Sequence, residues 1–214
     1  MEESKIEMWQ TCLRLNEIYR LTSCYSNDST VKNKADEPQD FYAKMTAPSP
    51  ETGDMRTFDG DTPLFVVALL IGYIHNKRSD KWPENKHHRY SFIRSNALET
   101  PETFRHISQL VFLRTFPEPD DEYIKKFMEE MKADMSPEDK KRMAVWRNFC
   151  SYADGGIEIL LEDYEKHGKI KLKEIDKNFN SGDLNGTKLP VYNILYNQKK
   201  SFENISSKSN KYIF

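Results

Sequence analysis

Eleven consecutive residues at positions 64–74, LFVVALLIGYI, carry no charge and are apolar around nearly the full circumference of a helix. A bilayer span needs roughly 20 such residues, so the run is too short to cross a membrane. A helix apolar on every side has no face to give to water, and it should lie at the centre of a protein core. Its start is marked by Thr62, whose hydroxyl can accept from free N–H groups. Pro63 suits the first helical position because its missing N–H would have been unpaired there. The spacing predicts a helix from Thr62 to about His75, with Gly72 allowing a close helix crossing or a helix stop.

Weaker amphipathic patterns surround this run. Ile6, Trp9, Leu13, Leu15, Ile18, Tyr19 and Leu21 recur at spacings of three and four and predict a helix over 6–21. Between residues 22 and 61 the pattern is lost among Pro38, Pro48, Pro50, Gly53 and Gly60. That stretch reads as a long mobile insertion, assigned to 22–57, with one short turn around Phe41 to Met45. Thr100-Pro101-Glu102 opens a helix to about Thr115, and residues 121–135 form another amphipathic segment. Ser136-Pro137-Glu138-Asp139 opens a third, carrying Met143, Val145, Trp146, Phe149 and Cys150.

The stretch YADGGIEIL at 152–160 places two adjacent glycines between apolar-periodic segments. One reading is a tight corner: a glycine at positive φ ends one helix, and Asp154 caps the next, which runs to Gly168. The alternative is a phosphate-cradling loop, although the Lys-Ser/Thr of a P-loop and the strand of a dinucleotide site are missing. Beyond Gly168 the chain alternates apolar and charged residues, then becomes turn-rich, and ends in a polar, basic tail. The expected fold is mainly α: a single compact helical domain over 1–168, with the long N-terminal insertion and a partly disordered C-terminal extension over 169–214.

The net charge of −2 provides no global field toward DNA or membrane, so any nucleic-acid surface must be a local patch. Cys12, Cys24 and Cys150 are odd in number and contain no CxxC pair, which argues against a zinc site or a disulfide framework and fits a reducing cytoplasm. The first ten residues match neither a signal nor a transit peptide.

Three stretches, LLIGYIHNKR, SFIRSNALETPETFRHISQLVFL and YADGGIEIL, occur in that order. Together they resemble the DNA phosphorothioation (Dnd) system-associated protein 4 family over roughly residues 58–168. The most specific piece is the YADGGIEIL motif, with Tyr152, Asp154, Gly155, Gly156 and Glu158. The resemblance implies a prokaryotic cytoplasmic protein encoded with systems that place sulfur in the DNA backbone for anti-phage defence. It implies no catalytic residues and no cofactor. The long insertion and tail depart from the compact pattern of the family.

The segment 74–94 is the best candidate surface. It concentrates Lys77, Arg78, Lys81, Lys86, Arg89 and Arg94 against Asp80 and Glu84, with Trp82, Tyr90 and Phe92 interleaved. Such cations neutralise phosphates and such rings stack on bases. The bland alternative is a solvated basic loop with Trp82 folded onto the core. His75, His87 and His88 fall in the same segment. Adjacent His87 and His88 point apart, and no carboxylate or cysteine completes a ligand set, so no metal is expected. His87 is counted with the nucleic-acid candidates instead. Residues 118–139 carry nine carboxylates against Lys125, Lys126 and Lys132. Asp120, Asp121 and Glu122 would be the nuclease candidates, but at a helix start the dipole alone explains them. Cys150 reads as a buried hydrophobe, and Cys24 as the better exposed thiol without a base beside it.

The expected function is therefore a non-enzymatic accessory protein that binds DNA, phosphorothioated or not, or another Dnd-system protein, or both. The alternatives are a protein-interaction module without DNA contact and a metal-dependent nuclease.

Overall fold

The computed structural model describes residues 3–15, 18–21, 23–25, 41–46, 58, 60–80, 93–118 and 120–167. The fold is mainly α. Its elements are α1 (Lys5–Arg14), α2 (Phe41–Thr46), α3 (Asp61–Ile74), a 3-10 helix (Ser95–Glu99), α4 (Glu102–Arg114), α5 (Glu122–Glu129) and α6 (Pro137–His167). The chain divides into two compact units, Met1–Leu161 and Glu162–Phe214. Among the described residues of the second unit is the end of α6. No described helix is long and apolar enough to cross a membrane. The C-terminal extension 169–214 and most of the insertion, 26–40 and 47–57, lie outside the described residues. The short turn expected near Phe41 is α2.

Several helix limits differ from the sequence reading. In α1 the Ser4 hydroxyl accepts from the Glu7 N–H at 3.1 Å and the Glu7 carboxylate accepts from the Ser4 N–H at 2.8 Å, a reciprocal cap. The helix stops at Arg14 instead of continuing to Leu21. Over residues 18–21 burial follows a two-residue period: Tyr19 and Leu21 are buried, while Ile18 is 56% exposed. The Ile18 and Tyr19 N–H groups donate to the Leu15 carbonyl in a turn, and beyond it Leu21 pairs with Ile93 in an isolated antiparallel bridge. At α3 the N-cap is Gly60 at φ 110°, not Thr62, which lies in the first turn. Asp61 there accepts from the Thr46 hydroxyl at 3.2 Å and ties α2 to α3. α5 is shorter than the expected 121–135; Asp121 caps it by accepting from the Tyr123 and Ile124 N–H groups.

All side chains of α3 from Leu64 to Ile71 are buried, as an all-round apolar helix requires. An aromatic cluster completes the core. The ring centroids of Trp9 and Phe112 lie 5.1 Å apart, those of Trp146 and Phe149 5.1 Å, and those of Phe65 and Phe149 6.3 Å. Tilted and edge-on pairs of this kind suit the ring quadrupoles. The indole N–H of Trp146 donates to the Arg20 carbonyl at 3.0 Å, so its polar edge is satisfied.

The largest correction concerns YADGGIEIL. There is no corner: α6 is one helix of 31 residues, and Gly155-Gly156 sit within it. Asp154 is not an N-cap but a mid-helix residue, 3% exposed. A glycine in a helix interior costs about 1 kcal/mol relative to alanine, and close packing offsets that cost here. A Cβ on Gly156 would stand 1.8 Å from the Ala68 carbonyl oxygen, and one on Gly72 would stand 1.8 Å from that of Tyr152. The backbones of α3 and α6 therefore meet directly, each presenting a glycine to the other. Of the two roles considered for Gly72, the close crossing is the one observed.

Candidate functional site

Because α6 is continuous, Asp154 and Glu158 are four residues apart and project from one side of it. Two carboxylates one turn apart, next to a glycine-lined crossing, organise the polar part of the fold.

Asp154 receives the segment 23–25. The Ser23 hydroxyl donates to one carboxylate oxygen. The Cys24 N–H, at 3.1 Å, and the Cys24 thiol, at 3.2 Å, donate to the other. Burial pushes the Asp154 carboxyl up to about 7, and the charge of Glu158 adds to that; the hydrogen bonds from Ser23 and Cys24 oppose it. Burial also pushes the Cys24 thiol far above its ordinary value, and Asp154 raises it further. Cys24 is 8% exposed, contrary to the exposure expected of it, because Asp154 draws it inward. Burial and the raised thiol both work against nucleophilic attack by Cys24.

Glu158 ties the same 23–25 segment, through Tyr25, to a further one at residues 77–79. One of its oxygens accepts from the Tyr25 hydroxyl at 2.9 Å and from the Ser79 hydroxyl at 2.7 Å. The other lies 3.4 Å from the Lys77 ammonium. Ser79 is fixed at its backbone too: its N–H donates to the Ser151 carbonyl at 2.9 Å, and its carbonyl accepts from the Tyr123 hydroxyl.

The chain reaches Glu158 through a defined stop at the end of α3. Asn76 adopts φ 48°, the Asn76 N–H donates to the Tyr73 carbonyl, and the Lys77 N–H donates to that of Gly72. These bonds form a Schellman motif, in which asparagine substitutes for glycine in the left-handed position. A Cβ on Gly155 would stand 2.1 Å from the Lys77 carbonyl oxygen, so residues 77–78 lie directly on α6. Arg78 then donates to the Asn148 side chain at 2.9 Å, lies 3.7 Å from Asp121, and places its guanidinium 4.5 Å over the Tyr123 ring. Planar guanidinium chemistry suits this combination of stacking and pairing better than a lysine would.

The motif residues are thus brought together. Gly155 and Gly156 admit the neighbouring backbones, Tyr152 lies 5.8 Å from the Arg78 guanidinium, and Asp154 and Glu158 anchor the segments at 23–25 and 77–79. Of the basic candidates, Lys77 and Arg78 have intramolecular partners and are about one-third exposed. Arg94 is exposed, next to Ile93, whose carbonyl accepts from the Leu21 N–H at 3.0 Å. Ser95 follows and donates to carbonyls at the end of α1. Lys81, Lys86, His87 and Arg89 lie outside the described residues. Ser23, Tyr25, Ser79 and Asn148 were not anticipated. The Asp154–Glu158 spacing would have pointed to a polar face had the helix been read as continuous.

The three carboxylates considered for nuclease chemistry do not converge. Asp120 faces Lys125 at 3.4 Å, Asp121 caps α5, and Glu122 is exposed. Among the described residues no three His, Cys, Asp or Glu side chains are grouped to hold a metal ion. Comparison with protein-family models, with curated proteins and with solved structures finds no match.

Proposed function

We propose that this protein is a non-enzymatic accessory protein of a DNA phosphorothioation-linked defence system, and that it contacts the DNA backbone through the basic segment 77–94. The observation that carries this reading is the anchoring of the segment at both ends. Residues 77–79 are held on α6 by Glu158, Ser151 and Asn148, and residues 93–95 are held by Leu21 and by the end of α1. Fixed ends lower the ordering cost of binding, which is what a presented recognition segment needs. The resemblance carried by YADGGIEIL supplies the biological setting.

Lys77 and Arg78 also pair with Glu158 and Asp121 within the fold, so the test of phosphate contact addresses Lys81, Lys86, Arg89 and Arg94. The test is a fluorescence-anisotropy titration of duplex DNA with the wild type and with a variant carrying alanine at those four positions. The reading predicts weaker binding and a shallower salt slope in the variant, by up to about one unit for each phosphate that is no longer neutralised. Equal affinity and slope would remove the segment from the account. A wild type that binds no duplex at low salt would favour docking on a protein partner instead.

A further inference from the structure

On another part of the helical unit, the first turn of α1, the α4–α5 connection, α5 and α6 enclose a groove of about 670 Å³. Its apolar wall includes Phe116, Ile124 and Met128, and its polar wall includes Lys5, Lys125 and Lys141. The three lysines come from three different helices and border one space.

None of these charges is strongly neutralised. Lys5 lies 5.1 Å over the Phe116 ring. Lys125 faces Asp120 at 3.4 Å in an ion pair whose carboxylate is 97% exposed, and pairs of that kind contribute little. Lys141 is exposed and has no ion pair among the described residues. Of the acidic groups at the groove, Glu3 is held by Arg142 at 2.8 Å, which leaves Glu118 as the opposing charge.

We propose that this groove binds a small amphipathic anion, an acyl or aromatic body carrying one carboxylate head. The volume falls within the range of small-ligand pockets, about 300–1,000 Å³, which are mostly apolar with a few convergent polar groups. Charge complementarity selects the anion: the lysines receive the head and the Phe116, Ile124 and Met128 side chains receive the body. The chain's own basic tail has the wrong sign to be the occupant. This site is independent of the DNA-contacting segment.

The test uses the full chain, with 1-anilinonaphthalene-8-sulfonate as the fluorescent probe and dodecanoate and dodecyltrimethylammonium as competitors below their micellar concentrations. Saturable probe binding displaced by dodecanoate, and not by the cation of equal chain length, is expected. The double variant Lys125→Glu/Lys141→Glu should bind the probe at least about tenfold more weakly. Both positions are exposed, and unchanged far-ultraviolet circular dichroism would show that the fold is intact. Equal displacement by the cation, unchanged affinity in the folded variant, or no saturable binding would each overturn the proposal.

Discussion

Replacing Gly156 by alanine should destabilise the protein even though alanine is the better helix former. The added Cβ would lie 1.8 Å from the Ala68 oxygen, 2.6 Å from its carbonyl carbon and 2.9 Å from its Cα. All three are backbone atoms of a core helix, so no side chain can rotate away. Reaching a 3.0 Å contact requires α3 and α6 to separate locally by at least about 1.2 Å, and packed interiors resist such shifts. Overpacking typically costs 1–3 kcal/mol, and a backbone clash belongs at or above the upper end of that range. Relief of the glycine's entropy returns about 1 kcal/mol. The net loss should be about 2 kcal/mol or more, a fall in Tm of roughly 4–8 °C for a unit of this size. Gly72→Ala strikes the same crossing from the other helix, against the Tyr152 oxygen at 1.8 Å. Once one substitution has parted the helices, the second meets less resistance, so the double variant should lose less than the sum of the singles. Thermal and urea unfolding of the two single variants and the double variant measure both quantities. A Gly156→Ala protein as stable as wild type, or strictly additive losses, would refute the close-crossing account.

Three further outcomes follow from the polar cluster. Asp154 is raised in the folded state from 3.8 to about 7, so the fold favours its protonated form. Its contribution to stability is then fully present below the unfolded value near 4 and is lost as pH rises toward 7; Asp154→Asn should flatten the Tm profile over that interval, and an unchanged profile would contradict the assignment. Glu158→Ala removes the acceptor shared by Tyr25 and Ser79 and the partner of Lys77. It should cost about 1–3 kcal/mol and speed amide hydrogen exchange at Ser79, whose N–H donates to the Ser151 carbonyl, whereas a wild-type exchange rate would argue that Glu158 does not hold residues 77–79. All three cysteines are buried, with burial pushing the Cys12 and Cys24 thiols up. Thiol titration at pH 8 should therefore be slow in the native protein and complete in denaturant; rapid native labelling of one thiol would contradict the burial.

The sequence disclosed those elements whose signals are local. The run at 64–74 could bury itself only inside a core, and Ser136 before Pro137 opens α6 as its side chain suggests, accepting from the Asp139 N–H at 3.1 Å. What it concealed depends on tertiary context. A glycine pair has the same local appearance whether it turns the chain or admits another backbone, and only the presence of Ala68 and Lys77 against Gly156 and Gly155 distinguishes the two. Leu21 shares its helical spacing with Leu13 and Leu15, yet it is drawn out of that pattern by Ile93, 72 positions later in the chain. The polar cluster stayed hidden for a related reason. Ser23, Tyr25 and Ser79 belong to segments without periodicity, and only the carboxylates of α6 give them a common location.

The segment held on α6 at residues 77–79 is proposed to meet the DNA backbone. Matched duplexes, identical except for one phosphorothioate linkage, should be titrated by anisotropy at low and at physiological salt. Binding to both that weakens steeply with salt is the predicted result, and tighter binding to the sulfur-bearing duplex would further make the protein a reader of the modification. Failure to bind either duplex at low salt would contradict the claim.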